Sequence, residues 1–345
     1  MTGSLQVRPF TTLDTERWTS FITQCPNATF FHRIEWRSIL EDVFRHRTHY
    51  LVAERGGEIV GVLPLAQVKS RLFGHALVSL PFAVQAGIAT MEPEAGDALR
   101  AMAVELARAL GVEHLELRHG EAQAPAWPRQ DLYVTFRKDL KPDVEANLLA
   151  IPRKQRAMVR KGQGFGLTSE IDRDASRFFA LYADNMQRHG TPPMSRAYFE
   201  ALLKAFGSDC DVLTVLDKTG RPVSAVLSFY FRGDCMPYYA GDLADARDLA
   251  ANDFKYWELM RRACERGCTG FDYGRSKKGT GAYDFKKNWG FEPVQFNYEY
   301  ALFKRDAIPQ NNPNNPKYRA LIALWRRLPR PVVNAIGPSI VRHLG

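Results

Sequence analysis

The sequence predicts an α/β protein built of two tandem domains, each a mixed β-sheet flanked by helices. Three observations carry that prediction. The chain has 345 residues, more than one ordinary core needs and enough for two domains of roughly 100 to 200 residues. Its 45% apolar and 25% charged content is that of a soluble globular chain. One ordered pattern also occurs twice: a glycine-turned hairpin, a further apolar segment, a long helix closed by glycine, and a short strand. Gly57 to Gly111 spans 54 residues and Gly220 to Gly267 spans 47. We read a duplicated β-β-β-α-β unit, against the competing reading that two α/β halves merely look alike.

In the first copy, "HYLVAERGGEIVGVLPLAQVKS" gives a strand at Tyr50 to Ala53, a charged turn at Gly56 and Gly57, and a second strand through Val68. "HALVSLPFAVQAGIAT" follows as the third apolar segment. Leu99, Met102, Ala103, Leu106 and Leu110 then recur at helical spacing, Gly111 ends the helix, and "VEHLELRH" is the short strand. In the second copy, "DVLTVLDKTGRPVSAVLSFYF" is the hairpin around Gly220 and "CMPYYAGDL" the third segment. "NDFKYWELMRRACERG" is the helix and "TGFDYGRS" the strand. The expected domains are 1–145 and 146–305, joined near "KPDVEANLLAIPRKQR", with 306–345 as an Asn/Pro spacer and a basic amphipathic helix.

Charge divides unevenly. Residues 1–145 hold 16 Lys and Arg against 18 Asp and Glu, whereas the remainder holds 31 against 20. A second half with net charge +11 favours phosphate-bearing partners, such as a nucleotide, CoA, tRNA or an anionic membrane, unless the basic surface is inert. Five scattered cysteines suit reduced thiols better than a disulfide framework. Cys264 and Cys268, four apart on the helix, lack a CxxC partner or a nearby histidine, so no metal is expected. "MTGSLQVRPFTTLDTERW" has neither the basic segment nor the apolar run of a signal peptide, and no membrane-spanning window follows. The expected location is the cytoplasm, with contact at the inner membrane face through the C-terminal helix as an option.

The order of hairpin, third strand, long helix, fourth strand and "AYDFKKNWGFEPV" resembles the GNAT (acyl-CoA N-acyltransferase) fold, with Ala282, Tyr283, Asn288, Gly290 and Phe291 matching its closing helix and strand. Two such domains in tandem resemble the FemAB family of acyl and aminoacyl transferases. "FFHRIEWRSILEDVF", with Trp36, is similar to the family's first helix, and "IPRKQRAMVRKGQGFG" to the basic helix opening its second domain. "RHGTPPMSRAYFEALLKAFG", "FDYGRSKKGTGAYDFKKNWGFEP" and the tail resemble the FemAB-like proteins of PEP-CTERM and exopolysaccharide clusters. The resemblance implies an enzyme whose second domain does the chemistry beside an acceptor cleft supported by the first.

Acyl transfer to an amine or hydroxyl needs a proton acceptor, an oxyanion partner and a leaving-group acid. Asp272, after Phe271 on a short strand, is placed to take the amine's proton if it faces the crevice between the third and fourth strands; otherwise it bonds nearby backbone. The resemblance implies a general-acid role for Tyr283, a core tyrosine being the alternative. Lys286 lies three residues on and shares its face, whereas Lys287 is about 100° away. We expect Lys286 to contact phosphate or oxyanion, with two solvated lysines as the alternative. Gly274, Gly279 and Gly281 permit close backbone approach, and Arg275, Lys277 and Lys278 add charge. Arg153, Arg156 and Arg160 share one helix face, either to grip a diphosphate or as a solvated surface. Arg188 and His189, before "GTPP", resemble a segment near the acceptor cleft. Tyr239, Asp242, Arg275 and Lys287 complete the expected substrate-binding set.

One departure concerns the donor. CoA-dependent GNAT domains place a glycine-rich turn at the start of the long helix, where free N–H groups bind pyrophosphate. Here "ADARDLAANDFKYW" has Arg247 but no glycine. The donor therefore stays open between acyl-CoA and aminoacyl-tRNA. "GQGFG" at Gly162 to Gly166 follows a helix and lacks nucleotide-loop spacing. In the tail, Tyr318, Leu321, Ile322, Trp325 and Leu328 share a face suited to an anionic bilayer or to docking on the protein itself. The expected acceptor is a nucleotide- or lipid-diphosphate-linked sugar. The rival readings are a peptidoglycan-precursor aminoacyl-tRNA transferase and a non-catalytic scaffold.

Overall fold

The computed structural model describes residues 3–70, 73–124, 126–309 and 322–344. The chain divides into two units: Met1–Tyr133 with Gln295–Gln310 and His343–Gly345, and Val134–Val294 with Asn311–Arg342. Both are mixed α/β.

Unit 1 opens with β1 (Leu5–Pro9) and α1 (Thr15–Gln24), followed by the hairpin β2 (Leu51–Arg55) and β3 (Glu58–Leu63). Gly56 and Gly57 turn that hairpin at positive φ. The sequence suggests one strand continuing to Val68, but Pro64 has no N–H to donate and the ladder breaks there. The chain resumes as β4 (Ala66–Ser70), paired to β5 (Gly74–Val78) in a different sheet. Next come α2 (Pro93–Leu110), stopped by Gly111 at φ 65, and β6 (His114–His119). α2 buries Ala95, Leu99, Ala103 and Ala107 at i, i+4 spacing against Leu51, Leu63, Leu77 and Leu115. β6 runs parallel to β5 (Leu77↔Leu115) and antiparallel to the strand Asn297–Leu302 on its other edge.

Unit 2 begins with β7 (Tyr133–Asp139), α3 (Val144–Ala150), α4 (Arg153–Gly164) and β8 (Thr168–Ile171). The helices α5 (Ser176–His189) and α6 (Arg196–Phe206) follow. Then comes the meander β9 (Cys210–Leu216), β10 (Pro222–Phe231) and β11 (Asp234–Asp242). α7 (Ala251–Glu265), β12 (Gly270–Asp272), α8 (Gly281–Asn288) and β13 (Glu292–Gln295) complete the sequence of elements before the tail. The sheet order is β8-β9-β10-β11-β12-β7, and β13 also pairs with β7. As in unit 1, the strand after the long helix runs parallel to the last strand of the meander. That shared parallel step, placed identically in both copies, is what the duplicated pattern in the sequence expresses.

The units do not divide at 145/146. The strand β7 belongs, from Val134 on, to the second, and the Asn297–Leu302 strand, expected in the second, pairs with β6 of the first. Alternating strands carry no label for their partner sheet, so this exchange was not readable from the sequence. In the tail, α9 (Arg330–Val341) lies against α5, burying Val333, Gly337 and Val341, and Trp325 is buried ahead of it. Tyr318 and Leu321 of the expected amphipathic face lie outside the described residues. Among the described residues no helix is long and apolar enough to cross a membrane.

Candidate active site

The ladder between β11 and β12 is short. It holds only Asp234↔Gly270 and Cys235↔Phe271, although β11 continues to Asp242. Two features of β11 account for this. Pro237 has no N–H, and the β10–β11 register passes from Ser228↔Pro237 to Leu227↔Tyr239, so Tyr238 is an extra, bulged residue that bends the strand. The other edge of β12 is held by β7, with Arg137↔Asp272 in register. Asp272 therefore stands where the parallel ladder has already ended.

Gly274 then organises the constellation. Its φ of +68 suits glycine, and the turn exposes both of its backbone polar groups to functional side chains. Its N–H donates to Asp272 Oδ1 at 2.8 Å, and its carbonyl accepts from Lys286 Nζ at 2.8 Å. The Thr135 hydroxyl also donates to Asp272 Oδ1. Both bonds fall on Oδ1, leaving Oδ2 for a proton. Burial raises the Asp272 pKa above the ordinary carboxylate range, while the Thr135 and Gly274 bonds pull against that shift.

Lys286 is brought inward by α8. Thr280 caps that helix, accepting from Tyr283 N at 3.4 Å, which sets residues 283 and 286 on one face. Lys286 is buried while Lys287 is exposed. Beyond Gly274, Nζ donates to the Arg275 carbonyl at 3.3 Å. The Phe136 and Tyr273 rings each lie 5.9 Å from it. Burial lowers the Lys286 pKa to about 8, with the Asp272 charge opposing and Arg275 assisting. An ammonium has three N–H groups; two are committed, so one is left to offer. Tyr283 meets the same Phe136 ring edge-on, with centroids 5.2 Å apart. Gly274 thus links Asp272 to Lys286, and the Phe136 ring links Lys286 to Tyr283.

The remaining expected residues are placed differently. Asp242 and Tyr239 lie on β11 in a second, neighbouring network. Gly241 lets α5 approach that strand closely, since a Cβ there would lie 2.4 Å from Tyr182 N. The approach brings the Arg188 guanidinium onto the Asp242 carbonyl, while its Nε donates to Asp184 at 2.9 Å. The Asp242 carboxylate accepts from Lys255 Nζ at 2.8 Å and from the Ser224 hydroxyl. The Tyr239 hydroxyl bonds that of Tyr198 at 2.9 Å within an aromatic cluster including Tyr182 and Phe199, and burial pushes its pKa up. Arg156 donates to the Leu149 carbonyl at 2.9 Å. Arg160, His189 and Arg275 are exposed.

Several participants were not singled out from the sequence. Lys255 is fully buried and shares the inner face of α7 with Ala251 and Leu259; a lysine at a core-facing position of an amphipathic helix was the available signal. Thr135 fell inside the expected first domain, away from Asp272. Asp253 accepts from the Trp289 indole at 3.0 Å, and burial raises its pKa. At the start of α7, Ala250 takes φ 53 where a glycine would be unstrained. The acidic Asp253 sits in the first turn of that helix. Among the described residues no group of three or more His, Cys, Asp and Glu is placed to hold a metal ion. A cavity of about 190 Å³ in unit 1, lined by Phe10, Tyr50, Met102 and Leu106 among others, lies outside this constellation.

Residues 150–287 match the acetyltransferase (GNAT) domain family. The matched stretch lies within the second unit. The fold as a whole is that of tandem GNAT proteins. It is similar to the crystal structure of FemX (TM-score 0.67, 15% identity, covering 87% of this chain and 98% of that one). It is also similar to L-PGS from Bacillus licheniformis (0.56, 14%, 91% and 96%). A third likeness is to a tandem GNAT protein of the clavulanic acid biosynthesis pathway (0.55, 15%, 88% and 100%). No curated protein matches the chain in sequence.

Proposed function

We propose that this acyltransferase moves an acyl or aminoacyl group onto an amine or hydroxyl of a cell-envelope or exopolysaccharide precursor, with Asp272, Tyr283 and Lys286 performing the transfer. The observation that carries this reading is that Asp272 and Lys286 both bond Gly274, just past the point where the β11–β12 ladder stops, while Lys286 and Tyr283 share the Phe136 ring.

The acceptor nitrogen or oxygen attacks the donor carbonyl and passes its proton to Asp272 Oδ2. The tetrahedral oxyanion takes the uncommitted N–H of Lys286. On collapse, the bond to the leaving group breaks and Tyr283 returns a proton to it. An acceptor linked through a nucleotide or lipid diphosphate agrees with the excess of cations in the second half, Arg156, Arg160, Arg275 and Lys287 being the candidate contacts.

A specific observation favours aminoacyl-tRNA over acyl-CoA as donor. The start of α7, where a CoA pyrophosphate would need free N–H groups and glycine, carries the left-handed Ala250 and the acidic Asp253. The test is transfer of radiolabelled acyl groups from each donor to UDP-linked and lipid-diphosphate-linked amino sugars. The reading expects transfer that Asp272→Asn abolishes and that ribonuclease treatment of the donor removes. Transfer from acyl-CoA alone would reverse the donor assignment, and no transfer to any sugar-linked acceptor would reject the acceptor class.

A further inference from the structure

The tail carries a surface that the catalytic reading does not use. α9 docks on unit 2 through Val333, Gly337 and Val341, one buried stripe at i, i+4 spacing. Beside it, about 100° around the helix, runs a second stripe of Val332, Ile336 and Ile340. Val332 and Ile336 are each 41% exposed, and Leu324, in the turn ahead, is 59% exposed. A helix already docked by one stripe has no need of a second apolar stripe facing water.

The charge around this stripe is of one sign. From residue 307 to the end, the sequence has six Lys and Arg and no Asp or Glu. Arg326, Arg327 and Arg330 are exposed at the leading end of α9. The docking itself is anchored: Gln187 donates to the Leu328 carbonyl at 2.6 Å, Arg326 to the His189 carbonyl at 3.3 Å, and Arg330 pairs with Asp184. The outward face is therefore fixed on the body of unit 2 and does not depend on the helix folding at a surface.

We infer that the outer face of α9 is a docking surface for an anionic lipid bilayer, with Val332 and Ile336 entering the headgroup boundary and Arg327 meeting lipid phosphates. Apolar side chains ringed by cations fit that surface. A nucleic acid would use the arginines and leave Val332 and Ile336 without a role. The contact is peripheral, at the membrane face where a lipid-linked acceptor would be found.

The test is sedimentation of the full-length chain with vesicles of phosphatidylcholine alone and of three parts phosphatidylcholine to one part phosphatidylglycerol. Binding to the anionic vesicles is expected, falling with salt and reduced about fivefold by Arg327→Ser. Val332→Glu with Ile336→Glu should reduce it more than tenfold while the thermal midpoint stays unchanged, since both side chains are on the solvent side. Equal binding to both vesicle types would overturn the charge argument. Undiminished binding by the double glutamate variant, or retention of tRNA but not vesicles through Arg327, would overturn the assignment of this face.

Discussion

Replacing Lys286 by methionine should change how stability depends on pH, and the size of the change follows from the burial of the amine. The ordinary lysine pKa of 10.5 is lowered to about 8 in the folded chain. Below pH 8 the side chain is protonated in both states, and the buried charge costs the folded state about 3 kcal/mol. As pH rises through 8, the folded amine becomes neutral while the unfolded one keeps its proton until 10.5. The unfolded state then binds more protons, so this group's contribution to stability rises across that window. Between about pH 7 and about pH 9.5 the gain is about 2 kcal/mol. Methionine keeps the chain length and has nothing to titrate. It also leaves the Gly274 and Arg275 carbonyls without their donor, a pH-independent loss of about 1 to 3 kcal/mol. The diagnostic quantity is therefore the slope and not the offset. Urea unfolding followed by tryptophan fluorescence, at both pH values on both proteins, measures it. Other titrating groups cancel in the difference between the two proteins. Wild type should gain about 2 kcal/mol relative to the variant on going to the higher pH. A difference independent of pH would mean that Lys286 titrates as a solvated lysine and is not held in the site as described.

Activity should depend on pH with two limbs: rising as Asp272, whose pKa is raised by burial, loses its proton, and falling as Lys286 loses its own near pH 8. Asp272→Asn should remove the lower limb and lower kcat by about a hundredfold or more, read from initial rates. Lys255→Ala should cost about 3 to 5 kcal/mol, because it leaves the Asp242 carboxylate without its cation. Adding Asp242→Asn should recover part of that loss, as a double-mutant cycle in urea would show. Trp289→Phe keeps an aromatic ring in a fully buried position but strands Asp253. It should cost about 1 to 3 kcal/mol, measured from the unfolding midpoint.

The parts of the fold that were legible in the sequence are those set by local chemistry. Gly220 and Gly111 mark a turn and a helix end because their backbones take φ 83 and φ 65, conformations that favour glycine. The apolar spacing of α2 is its buried face. The site was half legible for the same kind of reason: helical geometry says that only one of Lys286 and Lys287 can face inward with Tyr283, and the Phe136 ring brings Tyr283 and Lys286 together. Long-range pairing was not legible. Nothing local tells Thr135 that it will meet Asp272, more than a hundred residues away, or tells the Asn297–Leu302 strand to join β6. Lys255 was hidden by a general expectation that lysines are solvated, which fails when a part-buried Asp242 lies within reach of the buried amine. Arg188 was expected to face a substrate, and the structure engages it with Asp184 and the Asp242 carbonyl.

The central claim is that Asp272, Tyr283 and Lys286 form one acyl-transfer site. The most direct measurement is single-turnover transfer from aminoacyl-tRNA to an amino-sugar acceptor by wild type, Asp272→Asn, Tyr283→Phe and Lys286→Met, with donor binding measured separately for each. The account predicts that all three variants bind donor and lose at least about a hundredfold in transfer rate, with the double variant Asp272→Asn, Lys286→Met losing far less than the product of the single effects. Transfer at the wild-type rate by Asp272→Asn or by Lys286→Met, with the fold intact, would contradict it.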